Sequence, residues 1–280
     1  LTVEYGGNVS ANTTINQNAE LISLTTNGAA AATWTGLINS NGGDGEGTLN
    51  IQGTGGITFA SAVGKAGSGS LLLVNIDQAA TFDGAVEATN FTVDADSTFT
   101  GAVTANTAFT VAGATTDVTI TAASALGTLT ATAGTITANG LLTTVATVNT
   151  AGKLYLNVAE NEMGAGKYTA GDGAELHVGK AFVTTNNIFL SDVSAGEGDF
   201  HSGSKIYLPS NLTSGETLKI TDAGAFDQGD ASKTAVTTAA AVQVTLQDTA
   251  LVDYSASAAS AGATVITITA VDRTESVIAT

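Results

Sequence analysis

The sequence predicts an all-β protein, a right-handed parallel β-solenoid (β-helix) followed by a smaller β-rich module. Three observations indicate this fold: a repeated phrase, strands with alternating polarity, and turn-forming breaks at short intervals. The phrase TFDGAV at residues 81–86 returns as TFTGAV at 98–103 and as TFASAV at 58–63. A short sequence motif that repeats at close intervals is typical of a stacked structural unit, whereas the residues of an enzyme site normally occur once in a chain.

Alternation within the repeats assigns each residue to a face, because successive side chains of a strand point to opposite sides. Four residues of each copy share an apolar face: Phe82, Gly84, Val86 and Ala88 in one, and Phe99, Gly101, Val103 and Ala105 in the next. The opposite face is polar and varies from copy to copy. An apolar face that recurs in every copy is what coils stacked around a common core require.

The region 1–185 consists of short β-prone segments in succession. They read LTVEY, AELISLTT, GTLNIQG, GITFASAV, SLLLVNID, the two TF copies, DVTITAA, GTLTATAG, LLTTVATV and KLYLNVAE. Turn signals such as NGG at 41–43 and GSGS at 67–70 separate them. Units of roughly 17 to 23 residues suit a coil of two or three strands. A β-sandwich is the alternative, and the close repeat spacing and the lack of long strands disfavour it.

The composition and the strand pattern of the sequence change near residue 186, and this change sets the predicted domain boundaries. Residues 1–185 form the solenoid, and residues 186–204 are a polar, Gly-rich linker. Residues 205–280 form a C-terminal β-rich capping or assembly module, in which KIYLP, TLKIT, VQVTL and TVITITAV alternate more cleanly.

Charge and composition exclude several kinds of partner. The 280 residues include 8 basic and 25 acidic ones, a formal net charge of −17. Nucleic acid and anionic membranes need clustered Lys and Arg, so neither is expected. No apolar run is long enough for a membrane helix, so this segment is not expected to insert into a membrane. The chain has no Cys and is rich in Thr, which favours the cell exterior.

The sequence gives little sign of catalysis. His177 alternates with Leu176 and Val178 and is expected to be an exposed strand residue, and His201 falls in the predicted linker. No nucleophile elbow accompanies them. Paired carboxylates, which β-helical glycan-degrading enzymes use, occur at Asp44/Glu46, Asp94/Asp96, 160/162 and 197/199. Such pairs are usually solvated, and aromatic residues and Arg are scarce, so we expect no enzyme.

Calcium is the cofactor that the carboxylates favour most. The loop NGGDGEG at residues 41–47 places Asp44 and Glu46 among glycines, where backbone carbonyls can also turn inward. Ca²⁺ prefers such oxygen ligands. Asp94 and Asp96 are the second candidate pair. The repeat-type calcium motif is not matched, so a plain Gly-rich turn with solvated acids is the alternative.

The C-terminal stretches 207–224 and 248–274 resemble a module of giant alphaproteobacterial surface proteins. The matching residues are Leu208, Pro209, Asn211, Leu212, Thr213, Gly215, Thr217, Leu218, Thr221, Asp222, Asp253, Tyr254, Asp272 and Arg273. The module is similar to the passenger regions of rickettsial-type surface-layer autotransporters. The resemblance implies a secreted, surface-displayed structural protein with a β-helical passenger and no catalytic residues.

These observations predict an extracellular structural protein on a bacterial cell surface. It would self-assemble as a homo-oligomer or polymer into a surface layer or filament, or be displayed as an autotransporter passenger. An adhesin stalk that binds cell-surface glycans or receptors is the alternative. A β-helical polysaccharide-degrading enzyme or a phage tailspike fits less well, because the chain has one Trp and one Arg.

Overall fold

The structure is a computed structural model of the 280-residue chain. It describes residues 1–25, 32–41, 43–64, 69–158, 168–171, 173–179, 188–190, 205–208, 217–221, 243–246, 252–258 and 266–272. These residues contain β-strands and no helix. The parallel strands stack as a β-solenoid of about seven turns, which confirms the predicted fold class.

Most strands are short, as expected for segments that turn a corner every few residues. The first half contains β1 (Thr2–Tyr5), β2 (Thr13–Ile15), β3 (Glu20–Thr25), β4 (Ala32–Trp34), β5 (Ile38–Ser40), β6 (Thr48–Gly53), β7 (Ile57–Phe59), β8 (Leu71–Ile76), β9 (Ala80–Phe82), β10 (Val86–Val93), β11 (Ser97–Phe99) and β12 (Val103–Val111). The second half contains β13 (Asp117–Ile120), β14 (Ser124–Ala138), β15 (Leu142–Leu156), β16 (Tyr168–Ala170), β17 (Glu175–Val178), β18 (Ile188–Leu190), β19 (Lys205–Leu208), β20 (Thr217–Thr221), β21 (Gln243–Leu246), β22 (Val252–Ala258) and β23 (Ile266–Asp272).

Each coil contributes to three rows of parallel strands, which we call faces 1, 2 and 3. Face 1 contains β3, β6, β8 and the second halves of β10 and β12. Face 2 contains β4, β7, β9, β11 and β13, then parts of β14 and β15, and finally β17, β19 and β21. Face 3 is narrower and includes the stacked bridges Ile38–Val63–Val86. The pairs that join face 2 from β4 to β13 have no register shift, whereas β10–β12 and β12–β14 contain bulges.

The core is built from inward residues that stack on their counterparts in the next coil. On face 2 the rings of Phe59 and Phe82 lie 4.9 Å apart, and Phe82 and Phe99 repeat that distance with planes 2° apart. Trp34 lies beyond Phe59 at 6.3 Å. These four side chains are buried. The repeated TF phrase therefore encodes an aromatic ladder, because each copy places its Phe at the same inward position.

The strands that follow the predicted linker join two different sheets. β19 pairs with β17 and β21 pairs with β19, all parallel, so face 2 continues to residue 246. A separate sheet contains β18, β20, β23 and β22, in which β23 is antiparallel to both β20 and β22. Most of the predicted linker, 186–204, lies outside the described residues, so the division at this segment stays a prediction.

Candidate functional site

The predicted calcium residue Asp44 forms a link between successive coils. Its Oδ1 accepts hydrogen bonds from the backbone N–H groups of Gly69 and Ser70, each at 3.2 Å. Gly45 has a φ of 82°, a left-handed conformation that suits glycine, and its N–H donates to the Ser70 hydroxyl at 3.0 Å. The Asp44 carboxylate thus already has a structural role, since it holds the 43–47 loop to the coil above.

Glu46 and Glu87 add negative charge near this loop. The Glu46 N–H donates to the carbonyl of Ser70. Burial raises the pKa of Glu87 above its ordinary value, a hydrogen bond with Asn106 opposes this, and the charge of Asp44 raises the pKa further. Glu87 was not among the predicted residues, because it lies on a later coil and only the fold brings it near Asp44.

Asp94 and Asp96 lie in a turn between faces 1 and 2. The Asp96 Oδ1 accepts a hydrogen bond from the N–H of Asp117 at 2.8 Å, and the backbone carbonyl of Asp94 accepts one from the Thr116 hydroxyl at 2.9 Å. No group of three or more His, Asp or Glu able to hold a metal occurs within the described ranges. The structure therefore does not join the two predicted pairs into one cluster, and calcium binding stays a prediction.

The outer surface of face 2 carries a row of threonines that occupy equivalent positions in successive coils. We call it the Thr row: Thr33, Thr58, Thr81, Thr98, Thr119 and Thr137. All of them are half-buried. The intervals between them vary along the chain, so the extra residues of longer coils are accommodated elsewhere. Each threonine lies between two inward apolar or small residues. A sequence search for threonines flanked in this way could have indicated the row.

A groove of about 360 Å³ opens beside the Thr row. Its polar lining includes Thr58, Thr81, Thr98 and Thr119 and the carboxylates Asp96 and Asp117. Gly56 and Ala79 also line it and provide little or no side chain at the strand ends. The groove therefore offers hydroxyls and carboxylates on the outside of the solenoid, with no Lys or Arg among these lining residues.

Beyond Thr137 the same row continues as Tyr155, His177 and Tyr207, which we call the aromatic cluster. His177 stacks on Tyr155 at 3.9 Å and on Tyr207 at 4.2 Å. The expectation that His177 is exposed is wrong, since only 8% of its surface is accessible. It points away from the core as expected, but the neighbouring rings cover both faces of the imidazole. His201 lies outside the described residues.

Glu175 connects the charged members of this cluster. Its Oε2 lies 3.1 Å from His177 Nε2 and 3.2 Å from Lys153 Nζ, and its Oε1 accepts from the Tyr207 hydroxyl at 3.3 Å. Burial alone would raise the pKa of Glu175, but the hydrogen bonds from His177 and Lys153 outweigh burial and lower it. For His177, burial lowers the pKa and the interaction with Glu175 only partly opposes the shift.

The hydrogen bond to Glu175 determines which ring nitrogen of His177 carries a hydrogen at neutral pH. An ionised carboxylate only accepts hydrogen bonds, so His177 Nε2 carries the hydrogen and donates it to Glu175. Sequence reasoning missed this arrangement because Glu175 and Tyr207 lie 32 residues apart. The pattern K-x-Y at 153–155, E-x-H at 175–177 and K-x-Y at 205–207 is the signal that could have indicated it.

The fold and these sites define the chain as a β-solenoid protein with a polar groove and an aromatic cluster on one face. No protein-family model, no curated protein and no solved structure matches the chain. Within the part of the chain that the structure describes, no helix is long and apolar enough to cross a membrane.

Proposed function

We propose that this chain is an extracellular structural protein of a bacterial surface, with no catalytic activity, that self-assembles into a surface layer or filament. The observation that carries the proposal is the continuous stack of face 2 from β4 to β21, in which each strand pairs in parallel with the next. A solenoid of this kind builds length, because each coil contacts only its neighbours and the outer surface repeats along the axis. The resemblance of residues 207–224 and 248–274 to autotransporter passengers supports display on the cell surface.

Self-assembly would use the ends of the stack. Among the described residues, β1 has a residue-by-residue register with β3 alone, which leaves its other edge available to a further strand. An edge strand presents unpaired N–H and C=O groups that can template another strand. We propose that a strand from a second copy pairs here, while the net charge of −17 makes assembly depend on salt or divalent cations.

The edge can be blocked without breaking the pairing of β1 with β3. The Leu1 carbonyl accepts a hydrogen bond from the N–H of Ile22 at 2.8 Å, so the backbone N–H and C=O groups of the odd-numbered residues of β1 point toward β3. The alternation of backbone groups along a strand then directs the N–H of Glu4 outward. Glu4→Pro removes that donor and is tolerated on an edge strand. Glu4→Ala is the matched control, because it removes the same charge and keeps the N–H.

The test is negative-stain electron microscopy of the purified chain at high concentration, with and without millimolar Ca²⁺. We expect filaments or sheets for the unsubstituted chain and for Glu4→Ala, and isolated short rods for Glu4→Pro. Isolated rods for the unsubstituted chain in both conditions would refute self-assembly through the solenoid. Assembly of Glu4→Pro equal to that of Glu4→Ala would refute the β1 edge as the contact.

The second candidate function is an adhesin stalk, and the groove beside the Thr row favours it. A stalk needs a rigid rod and a binding surface, and the groove lies on the regular face of the solenoid. The two functions are separable, because the groove lies on face 2, whereas β1 pairs with β3 of face 1.

A further inference from the structure

We propose that the groove beside the Thr row binds an extended, uncharged glycan chain that lies parallel to the solenoid axis. The proposal names a site and a ligand class, and it does not depend on self-assembly, because the groove is formed within one chain. The outer surface of face 2 is the regular one, since the strands from β4 to β13 pair without a register shift.

The chemistry of the lining selects a ligand rich in hydroxyl groups. Each threonine hydroxyl can donate one hydrogen bond and accept others, and the carboxylates of Asp96 and Asp117 accept strongly from sugar hydroxyls. The absence of Lys and Arg from these lining residues, together with the charge of −17, disfavours anionic glycans. A hydrophobic peptide is also disfavoured, because burial of the hydroxyls and carboxylates without partners would cost free energy.

The spacing of the lining suits a polymer. Adjacent strands of a sheet lie about 4.8 Å apart, so the Thr row presents one hydroxyl at each such step. This step is close to the length that one pyranose unit adds to an extended β-linked chain. Successive units of a β-1,4-linked chain are turned over relative to each other, so a linear glycan can present the same hydroxyl to every second coil of the row. The single contacts would be weak, and their repetition along the chain would supply the affinity.

The Asp96 side chain is held in place before any ligand binds. Its Oδ1 accepts from the N–H of Asp117 at 2.8 Å, which ties the coil of β11 to the coil of β13. Gly56 and Ala79 keep the neighbouring part of the groove open, since neither has a side chain beyond Cβ. Ala79 is exposed, so a larger residue at this position would fill the groove and leave the core unchanged.

Cross-strand threonine pairs also stabilise sheets, so the Thr row has a purely structural explanation that the test must separate from binding. Thr→Val replaces the hydroxyl by a methyl group and keeps the β-branched shape. Thr81→Val/Thr98→Val alters the groove. Thr92→Val/Thr110→Val is the matched control, because those two threonines are paired in register and half-buried on the outside of face 1.

The experiment measures binding of the full chain to the hexamers of β-1,4-linked glucose and of β-1,4-linked N-acetylglucosamine by isothermal titration and ligand-observed NMR, in EDTA. We expect at least one hexamer to bind, about tenfold weaker binding for Thr81→Val/Thr98→Val, and loss of binding for Ala79→Leu. The face 1 control should bind like the unsubstituted chain. Circular dichroism and urea unfolding of each variant establish that it is folded.

Three results would overturn the proposal. The first is no binding of either neutral hexamer by the unsubstituted chain. The second is an equal loss in the groove variant and the face 1 control, which would indicate a structural role for the threonines. The third comes from parallel titrations with polyuronic hexamers and with added Ca²⁺: binding only under one of these two conditions would assign the groove to anions or to a cation. Electron microscopy of the same groove variant distinguishes this failure from a failure of assembly, since Glu4 is unchanged.

Discussion

The imidazole ring of His177 lies flat against the phenol ring of Tyr207, with centroids 4.2 Å apart and planes 1° from parallel. Tyr155 covers the opposite face at 3.9 Å and 15°. The three residues are in-register neighbours on successive coils. A solenoid can therefore bury a titratable side chain on its outer surface, because the coils above and below cover it.

This burial makes the stability of the cluster depend on pH. Burial lowers the pKa of His177 below its ordinary value of 6.5, against the opposing effect of Glu175. A depressed folded-state pKa means that the unfolded chain binds the proton more readily. The stabilisation is therefore fully present above the ordinary pKa and is lost as the pH falls through the lower folded-state pKa.

His177→Phe tests this pH dependence, because phenylalanine keeps the ring stack and cannot take up a proton. We expect the free energy of unfolding of the unsubstituted chain, relative to His177→Phe, to fall as the pH decreases from 8 to 5. Urea unfolding at several pH values measures it. In the unsubstituted chain Lys153 and Glu175 keep their charges over this range, since the pKa of Lys153 is raised by its hydrogen bond to Glu175 and that of Glu175 is lowered. A difference independent of pH would contradict the assignment.

The aromatic ladder should carry much of the stability of face 2. Phe82 is fully buried between Phe59 and Phe99. We expect Phe82→Ala to cost about 3–5 kcal/mol, because it removes both ring contacts and leaves a cavity. Leu72→Ala is the control on the neighbouring strand β8, and with 44% of Leu72 exposed it should cost about 0.5 kcal/mol or less. Chemical denaturation gives both values, and similar costs would argue against a ladder that stabilises the fold.

The sequence was sufficient to predict the fold class and the inward positions of the repeats. Phe82, Val86 and Ala88 are buried as the alternation predicts. The expectation that they share one strand face is wrong, because the chain turns a corner between Phe82, which ends β9, and Val86, which begins β10. Period-two alternation determines which side of a strand a residue occupies, and the repeated phrase indicates the stacking partner.

The candidate sites depend on which coils become neighbours, and sequence alone does not determine this. Asp44 binds backbone groups 25 and 26 residues away, and Glu175 reaches Tyr207 across an interval of 32. Coil lengths vary, so no fixed offset relates such residues. The exposure of His177 was mispredicted for the same reason, since alternation says nothing about the side chains that neighbouring coils place beside it.

Asp44 should stabilise its loop whether or not Ca²⁺ binds. Its Oδ1 accepts from the N–H groups of Gly69 and Ser70, so Asp44→Ala should cost about 1 kcal/mol in EDTA. Asp94→Ala is the control, because Asp94 contacts Thr116 through its backbone carbonyl. It should change the stability by about 0.5 kcal/mol or less.

Added Ca²⁺ then tests Asp44 as a metal ligand. If Asp44 binds the ion, millimolar Ca²⁺ raises the melting temperature of the unsubstituted chain and of Asp94→Ala more than that of Asp44→Ala. Differential scanning calorimetry with and without Ca²⁺ measures the three shifts. Equal shifts in all three proteins would remove Asp44 from the calcium prediction and leave its structural role intact.

The glycine of the repeated phrase is required where successive coils stack backbone on backbone. A Cβ added at Gly101 would overlap the backbone of Gly84 and Ala85, and one added at Gly84 would overlap the backbone of Ser61 and Ala62. We expect Gly101→Ala to cost about 1–3 kcal/mol, because the corner must move apart to admit the methyl group. Gly7→Ala is the matched control, since nothing lies within 4 Å of a Cβ at that position.

Urea unfolding compares the stabilities of the two variants. Hydrogen exchange should show that the lost protection of Gly101→Ala is concentrated in the coils next to residue 101, because coils of a solenoid contact only their neighbours. If Gly101→Ala were as stable as Gly7→Ala, the glycine in TFDGAV and TFTGAV would have no packing role and the repeat would reflect the Phe and Val positions alone.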